Sequence, residues 1–102
     1  MQKREVIRLT GKPLAKLNKE IHERDNYTCI VPGCKCRVPL GEKFHHEPCG
    51  SYKEDIKEKG CTLCYKHHQL RENRQHAEEI KGHCRNYLSE LYPDVWACIY
   101  TY

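Results

Sequence analysis

Apolar residues come in short, widely spaced sets along this chain. From Pro13 onward, Leu14, Leu17 and Ile21 fall at i, i+3 and i+7, which places three side chains on one helical stripe. Pro13 suits a first helical turn, where its missing N–H is not needed, and Asp25-Asn26 is a turn signal. A helix is therefore expected over 13–25. Its stripe is narrow, so it has to dock on a small core. Residues 1–12 read as an extended arm, with too brief an alternation at Val6-Ile7-Arg8-Leu9 to define a strand. A longer helix is expected over 76–91, with Ile80, Cys84, Tyr87, Leu88 and Leu91 on one face and Pro93 as the stop. The tail Val95 to Tyr100 is apolar enough to pack as a strand or as a short helix, and the pattern does not choose between them.

Between the helices the pattern changes. Pro32-Gly33, Pro39, Gly41 and Pro48 exclude a helix over 27–49. The segment reads as a cysteine-bearing knuckle and then a short strand around 42–46 with Phe44 facing inward. The polar stretch Ser51 to Lys59 leads to Gly60, and Cys61-Thr62-Leu63-Cys64 reads as a second short strand that enters a turn. Helix-favouring pattern resumes at Tyr65.

Composition sharpens this into a problem of stability. The 102 residues are 38% hydrophobic and 31% charged, with one Phe and one Trp. That is one small domain, 1–102, with a thin core, and domains of this kind rely on disulfides or a structural metal. No run of 18 apolar residues exists, so no membrane-spanning helix is expected. Met1-Gln2-Lys3-Arg4-Glu5 leads into no apolar secretory segment, and the expectation is a cytoplasmic, reducing location. In such a compartment the 8 cysteines and 7 histidines point to metal ligation rather than to a disulfide scaffold. Thiolate with imidazole is the ligand chemistry that Zn²⁺ selects.

Charge adds a partner. Residues 1–51 hold ten Lys and Arg against six Asp and Glu, while 52–102 hold eight of each, so the formal +4 lies in the first half. Lys3, Arg4, Arg8, Lys12, Lys16 and Lys19 are opposed over 1–19 only by Glu5. Such a patch suits a polyanion, with Lys12, Lys16 and Lys19 as the helical contacts to nucleic-acid phosphates. A solvated face that only aids solubility is the competing reading.

Two cysteine-bearing pairs fit a closed tetrahedral zinc site: Cys29-x₄-Cys34 around the Pro32-Gly33 turn, and Cys64-x₂-His67 thirty residues on. Cys36 in place of Cys34, and Cys61-x₂-Cys64 as the second pair, remain open. Cys49, Cys61, Cys84 and Cys98 read as small buried apolar residues. The doublets His45-His46 and His67-His68 go further. Adjacent strand residues face opposite sides, so one member of the first doublet is free to ligate a metal while the other faces a substrate. His68, at a helix start, can aim at the same ion. A metal with few protein ligands keeps positions open for catalysis.

In order along the chain, Arg24-Asp25-Asn26-Tyr27-Thr28-Cys29, Val31-Pro32-Gly33-Cys34, Phe44-His45-His46 and Gly60-Cys61-Thr62-Leu63-Cys64-Tyr65-Lys66-His67-His68 resemble the HNH endonuclease family, in particular its small phage-type members. The likeness covers residues 13 to 91. It implies a small α+β fold, a ββα-metal finger braced by a structural zinc knuckle over 27–75 and flanked by an N-terminal helix and a C-terminal helix with tail, 76–102. The implied activity is metal-dependent hydrolysis of DNA phosphodiester bonds to 5′-phosphate and 3′-hydroxyl ends. By the resemblance, His46 is the general base, and His45 and His68 hold a divalent catalytic ion, Mg²⁺, Mn²⁺ or Ni²⁺. Cys29, Cys34, Cys64 and His67 hold the structural Zn²⁺, and His76 is a further metal ligand only if the chain breaks near Arg71–Arg74. The family's middle Asn would fall near Lys59, with Lys59, Tyr52 or Lys53 as substitutes. DNA is the implied partner, no membrane is involved, and a monomer or weak homodimer suffices for nicking. The alternative is a zinc-dependent nucleic-acid-binding module without catalysis, which needs neither His46 nor His68.

Overall fold

The computed structural model describes residues 6–48 and 53–99. The first helix, α1, spans Gly11–Arg24 and buries Leu17, Ile21 and His22, so the stripe starting at Leu14 is the docking face. It begins two residues before Pro13, because Gly11 adopts φ 59° and turns the arm into the helix. It ends in two consecutive left-handed residues, Asn26 and Tyr27, whose backbone N–H groups donate to the carbonyls of Glu23 and His22. That reversal sends the chain straight into the cysteine knuckle, where Thr28 bridges Arg37 across the Pro32-Gly33 turn.

The two strands are shorter than the pattern suggested. β1 is His45–His46 and β2 is Gly60–Cys61, paired antiparallel with His45 opposite Cys61 and His46 opposite Gly60. Residues 42–44 stay outside the ladder. Phe44 faces inward as expected, fully buried on Leu17 and Ile21. Thr62 to Cys64 leave the ladder because their backbone serves other partners: Asp25 accepts from the Thr62 N–H, and the Thr62 carbonyl accepts from Ile30. A 3-10 turn, Lys57–Lys59, precedes β2. Helix α2 spans Tyr65–Arg71, α3 spans Ala77–Leu91 and α4 spans Pro93–Trp96. The start of the tail is thus helical as far as Trp96, with Pro93 in the first turn of α4 and the Trp96 indole N–H donating to the Glu58 carbonyl. Cys98 is exposed, against the expectation of burial, while Cys61 and Cys84 are fully buried; Cys49 lies outside the described residues.

The architecture is a small α+β fold of four helices on a two-stranded sheet among the described residues. Its apolar interior has two parts. Ile80, Cys84, Leu88 and Trp96 meet Val31, Val38, Cys61 and Leu63 in one, and Leu17, Ile21 and Phe44 form the other. Asp25 ties these parts together. Its carboxylate accepts from the Arg24 guanidinium at 2.7 and 3.0 Å, from the Thr62 N–H at 2.8 Å and from the Tyr87 hydroxyl at 2.5 Å. Arg24 also donates to the carbonyls of Lys57 and Gly60, each at 2.7 Å. A buried carboxylate so fully satisfied fixes α1, β2 and α3 relative to one another.

Gly60 lies where these layers close. A Cβ there would sit 2.7 Å from Phe44 Cδ2 and 2.8 Å from Ile21 Cδ1, both in the tightest part of the core. Gly60→Ala should therefore lower the unfolding free energy by about 1–3 kcal/mol, the usual cost of overpacking, and thermal denaturation measures it.

Candidate metal centre and catalytic cleft

The reversal after α1 brings the knuckle against the start of α2. Cys29 and Cys34 flank the Pro32-Gly33 turn, Cys64 precedes α2, and His67 stands in its first turn. Their donor atoms lie within 4.8 Å of one another, with His67 Nδ1 3.4 Å from Cys29 Sγ and 3.3 Å from Cys64 Sγ. Three thiols and one imidazole at this separation can hold a metal such as zinc. Burial pushes the Cys29 thiol up to about 12. Burial also raises Cys64, but the His67 backbone N–H and the Cys34, Cys29 and Cys36 thiols outweigh it and leave Cys64 below the ordinary thiol range. The two thiols of one cluster are thus shifted in opposite directions. Cys36 is exposed at the rim of this cluster and outside the four-donor set.

The second doublet partner, His68, faces away from the zinc set and across to β1. The His45 and His68 rings are 5.2 Å apart, edge to face. His45 is buried, and its Nε2 lies 3.0 Å from Glu47 Oε1. Arg71 holds both oxygens of Glu47, Nε to Oε1 at 2.9 Å and an Nη to Oε2 at 3.0 Å. A carboxylate that accepts on both oxygens carries no proton, so the hydrogen between Glu47 and His45 sits on His45 Nε2. Glu47 thereby fixes the orientation of the His45 ring, the arrangement by which a carboxylate orients a metal-ligating histidine. Burial and then neighbouring His45 lower the His68 pKa, so His68 is neutral and able to ligate.

His46 points the other way along the strand. Its Nε2 lies 2.6 Å from Asp55 Oδ1, and its ring packs on Phe44 at a centroid distance of 4.6 Å. The second oxygen, Asp55 Oδ2, accepts from the Leu9 N–H at 2.6 Å. Burial alone would raise the Asp55 carboxyl, but the Leu9 and His46 hydrogen bonds bring it below its ordinary value. Asp55 is ionised, His46 Nε2 bears the hydrogen, and Nδ1 is basic. Burial lowers the His46 pKa despite Asp55, so the imidazole is neutral near pH 7.

The two doublet faces meet in a cleft of about 250 Å³ lined by Lys43, Phe44, His45, His46, Lys53, His68, Arg71 and Glu72. The neutral His46 and His68 imidazoles with two lysines, beside Glu72 and the Glu47-paired Arg71, can receive an anion and a proton at adjacent points. Five residues here escaped sequence reasoning, Lys43 and Arg71 at the opening and the acids Glu47, Glu72 and Asp55. Glu47 follows His45 by two, on the same side of an extended chain, and Glu72 follows His68 by four, on the same side of a helix; both spacings were readable. Asp55 sits in the polar Ser51–Lys59 connection, where no period marks it. It backs His46 through the 2.6 Å contact of its Oδ1 with the ring. Lys59 instead pairs with Glu54 at 3.0 Å, Lys53 lines the cleft, and Tyr52 lies outside the described residues. The chain does break between α2 and α3, but His76, the residue before α3, has a half-exposed ring 3.9 Å from Glu79 and joins neither donor group. A third donor set, His45, Glu47 and Cys84, is close enough to hold a metal, yet Arg71 already neutralises Glu47 there.

Lys12, Lys16 and Lys19 are exposed along one face of α1, with Lys19 3.9 Å from Glu23. Of the basic arm, Lys3 and Arg4 lie outside the described residues. No helix among the described residues is long and apolar enough to cross a membrane. No family model, curated protein or solved structure matches the chain.

Purified protein should carry close to one zinc per chain by elemental analysis. Cys29→Ala should release that metal and abolish cooperative unfolding, because in a core this thin the metal's binding energy is folding energy. A folded, zinc-free Cys29→Ala protein would exclude the assignment.

Proposed function

We propose that the chain is a metal-dependent endonuclease of the HNH kind, which nicks DNA by hydrolysing phosphodiester bonds. The observation that carries this reading is the pair of oppositely facing histidines on β1, each locked by its own carboxylate: His45 by Glu47 and His46 by Asp55. A histidine kept neutral, with its hydrogen pinned on Nε2 and its basic Nδ1 in a cationic cleft, is what proton removal from a water beside a phosphate requires. In this reading the antiparallel pair and α2 form a ββα-metal finger, and the Cys29–Cys34–Cys64–His67 set is the structural zinc that braces it.

His45 and His68 would hold the catalytic divalent ion, and that ion would supply positive charge at the scissile phosphate and the leaving 3′ oxygen. The donor set fits, since burial keeps the His68 imidazole neutral and the Glu47 contact fixes the orientation of the His45 ring. His46 Nδ1 accepts the proton of the attacking water while Asp55 keeps the ring in place and stabilises the imidazolium that forms. Lys43, Lys53 and Arg71 border the opening and attract the phosphate; Arg71, held on Glu47, also keeps His45 oriented. Lys12, Lys16 and Lys19 engage phosphates further along the duplex without reading sequence. One site cuts one strand, so a double-strand break takes two encounters or two copies.

Plasmid nicking with EDTA-treated protein, titrated with Mg²⁺, Mn²⁺ and Ni²⁺, tests the reading. His46→Ala should nick about 10²–10⁴-fold more slowly at unchanged zinc content. His68→Ala should lose activity through the ion and recover part of it at high metal. If no divalent ion supports nicking by wild type, the zinc-dependent binding module is the better account.

The basic face is tested separately. Replacing Lys12, Lys16 and Lys19 with Ala should weaken binding to unrelated duplexes alike and reduce the salt slope by about one for each phosphate no longer engaged. An unchanged slope would mark the face as solvated surface.

A further inference from the structure

The amino-terminal segment was expected to be a loose basic arm, yet its described part is fastened to the cleft. Ile7 N–H donates to Glu54 Oε2 at 3.2 Å, Asp55 N–H donates to the Ile7 carbonyl at 2.9 Å, and Leu9 N–H donates to Asp55 Oδ2 at 2.6 Å. Side chains add little to this docking. Ile7 and Arg8 are exposed, while Leu9 is half-buried beside Leu17, Ile21 and Phe44. The arm is thus held by three main-chain hydrogen bonds to one dipeptide, Glu54-Asp55, and that dipeptide includes the carboxylate that fixes His46.

We infer that the arm is a clasp that positions the His46 imidazole: the Leu9 N–H holds one oxygen of Asp55 so that the other meets His46 Nε2, and docking of the arm sets how well the cleft works. The chemistry of Asp55 requires such a partner. A carboxylate with one oxygen on an imidazole can swing about its Cβ–Cγ bond unless the second oxygen is also held, and a ring that follows it leaves its working orientation. No other donor to Asp55 Oδ2 is found among the described residues. Leu9 is a positioning residue, since it acts on the cleft only through Asp55. The arm also carries Arg8, and its earlier basic residues precede the clasp directly in sequence, so phosphate contact by the arm and orientation of the base share one short piece of backbone. This regulation of the cleft rests on the nuclease reading for its rate effects, and on hydrogen bonding alone for its structural effect.

The test compares Leu9→Pro, which removes the N–H, with Leu9→Ala, which keeps the N–H and loses the packing. Both are measured as zinc-loaded full chains by plasmid nicking and by the proton resonance of the His46 Nε2–H. Leu9→Pro should nick about tenfold more slowly at saturating DNA, a fraction of the full general-base effect, with KM and zinc content within about twofold of wild type. Its His46 ring proton should exchange too fast to be seen. Leu9→Ala should retain both the rate and the resonance. The proposal is overturned if Leu9→Pro keeps rate and resonance, or if Leu9→Ala loses as much as Leu9→Pro. Hydrogen exchange in wild type decides the matter even if Leu9→Pro does not fold: the Leu9 amide and the His46 ring proton should lose protection together. A freely exchanging Leu9 amide beside a protected ring proton would show that the clasp does not hold the ring. If wild type nicks nothing, the nuclease reading falls, and the resonance and exchange data alone decide the clasp.

Discussion

The meeting of Cys29, Cys34, Cys64 and His67 is the contact on which the rest of the molecule depends. These side chains join the loop after α1 to the start of α2, and both strands, β1 with His45 and His46 and its partner β2, lie between those two points in sequence. Two strands of two residues each have almost no stability of their own. They hold their register because both ends of the segment are tied, at the knuckle by the donor cluster and at β2 by Arg24 and Asp25. A metal on these four donors would suit this task, since four ligands in a small volume supplement the thin core of a chain of this composition.

The polar interior is organised around carboxylates rather than around the histidines themselves. Asp25 accepts from a guanidinium, a backbone amide and a phenol; Glu47 accepts from Arg71 and His45; Asp55 accepts from Leu9 and His46. Each is buried, and each is satisfied on both oxygens, which is the condition under which a buried acid stabilises rather than costs. The two acids next to β1 also divide the labour between adjacent histidines. Period-2 geometry sends the rings to opposite sides, and each ring then finds a different carboxylate that fixes its hydrogen on Nε2. The doublet becomes two chemically similar groups in two different settings along one cleft, one beside Glu47 and Cys84 and one beside Phe44 and Asp55.

Much of this was legible in the chain. The i, i+3, i+7 stripe from Leu14 and the apolar face from Ile80 to Leu88 located α1 and α3 to within about two residues, because burying one face of a helix imposes a period that sequence must carry. The paired spacings of Cys29 with Cys34 and of Cys64 with His67 likewise marked the donor cluster, since ligands of one metal come in short local pairs. Strand lengths were not legible. Thr62 to Cys64 have strand-like composition, but Asp25 and Ile30 take the hydrogen bonds a longer ladder would have used.

What the sequence by itself determined, then, was the two longer helices, the cysteine-histidine pairs and the two doublets, all of which depend on neighbours within a few residues. Only the tertiary structure decided which acid serves which histidine, that Arg71 backs His45 through Glu47, and that the main chain at Leu9 reaches Asp55, 46 positions away. Such contacts leave no period and no motif. A backbone N–H is the same at every non-proline residue, and an acid in a polar connection looks like solvated surface until folding removes the water around it.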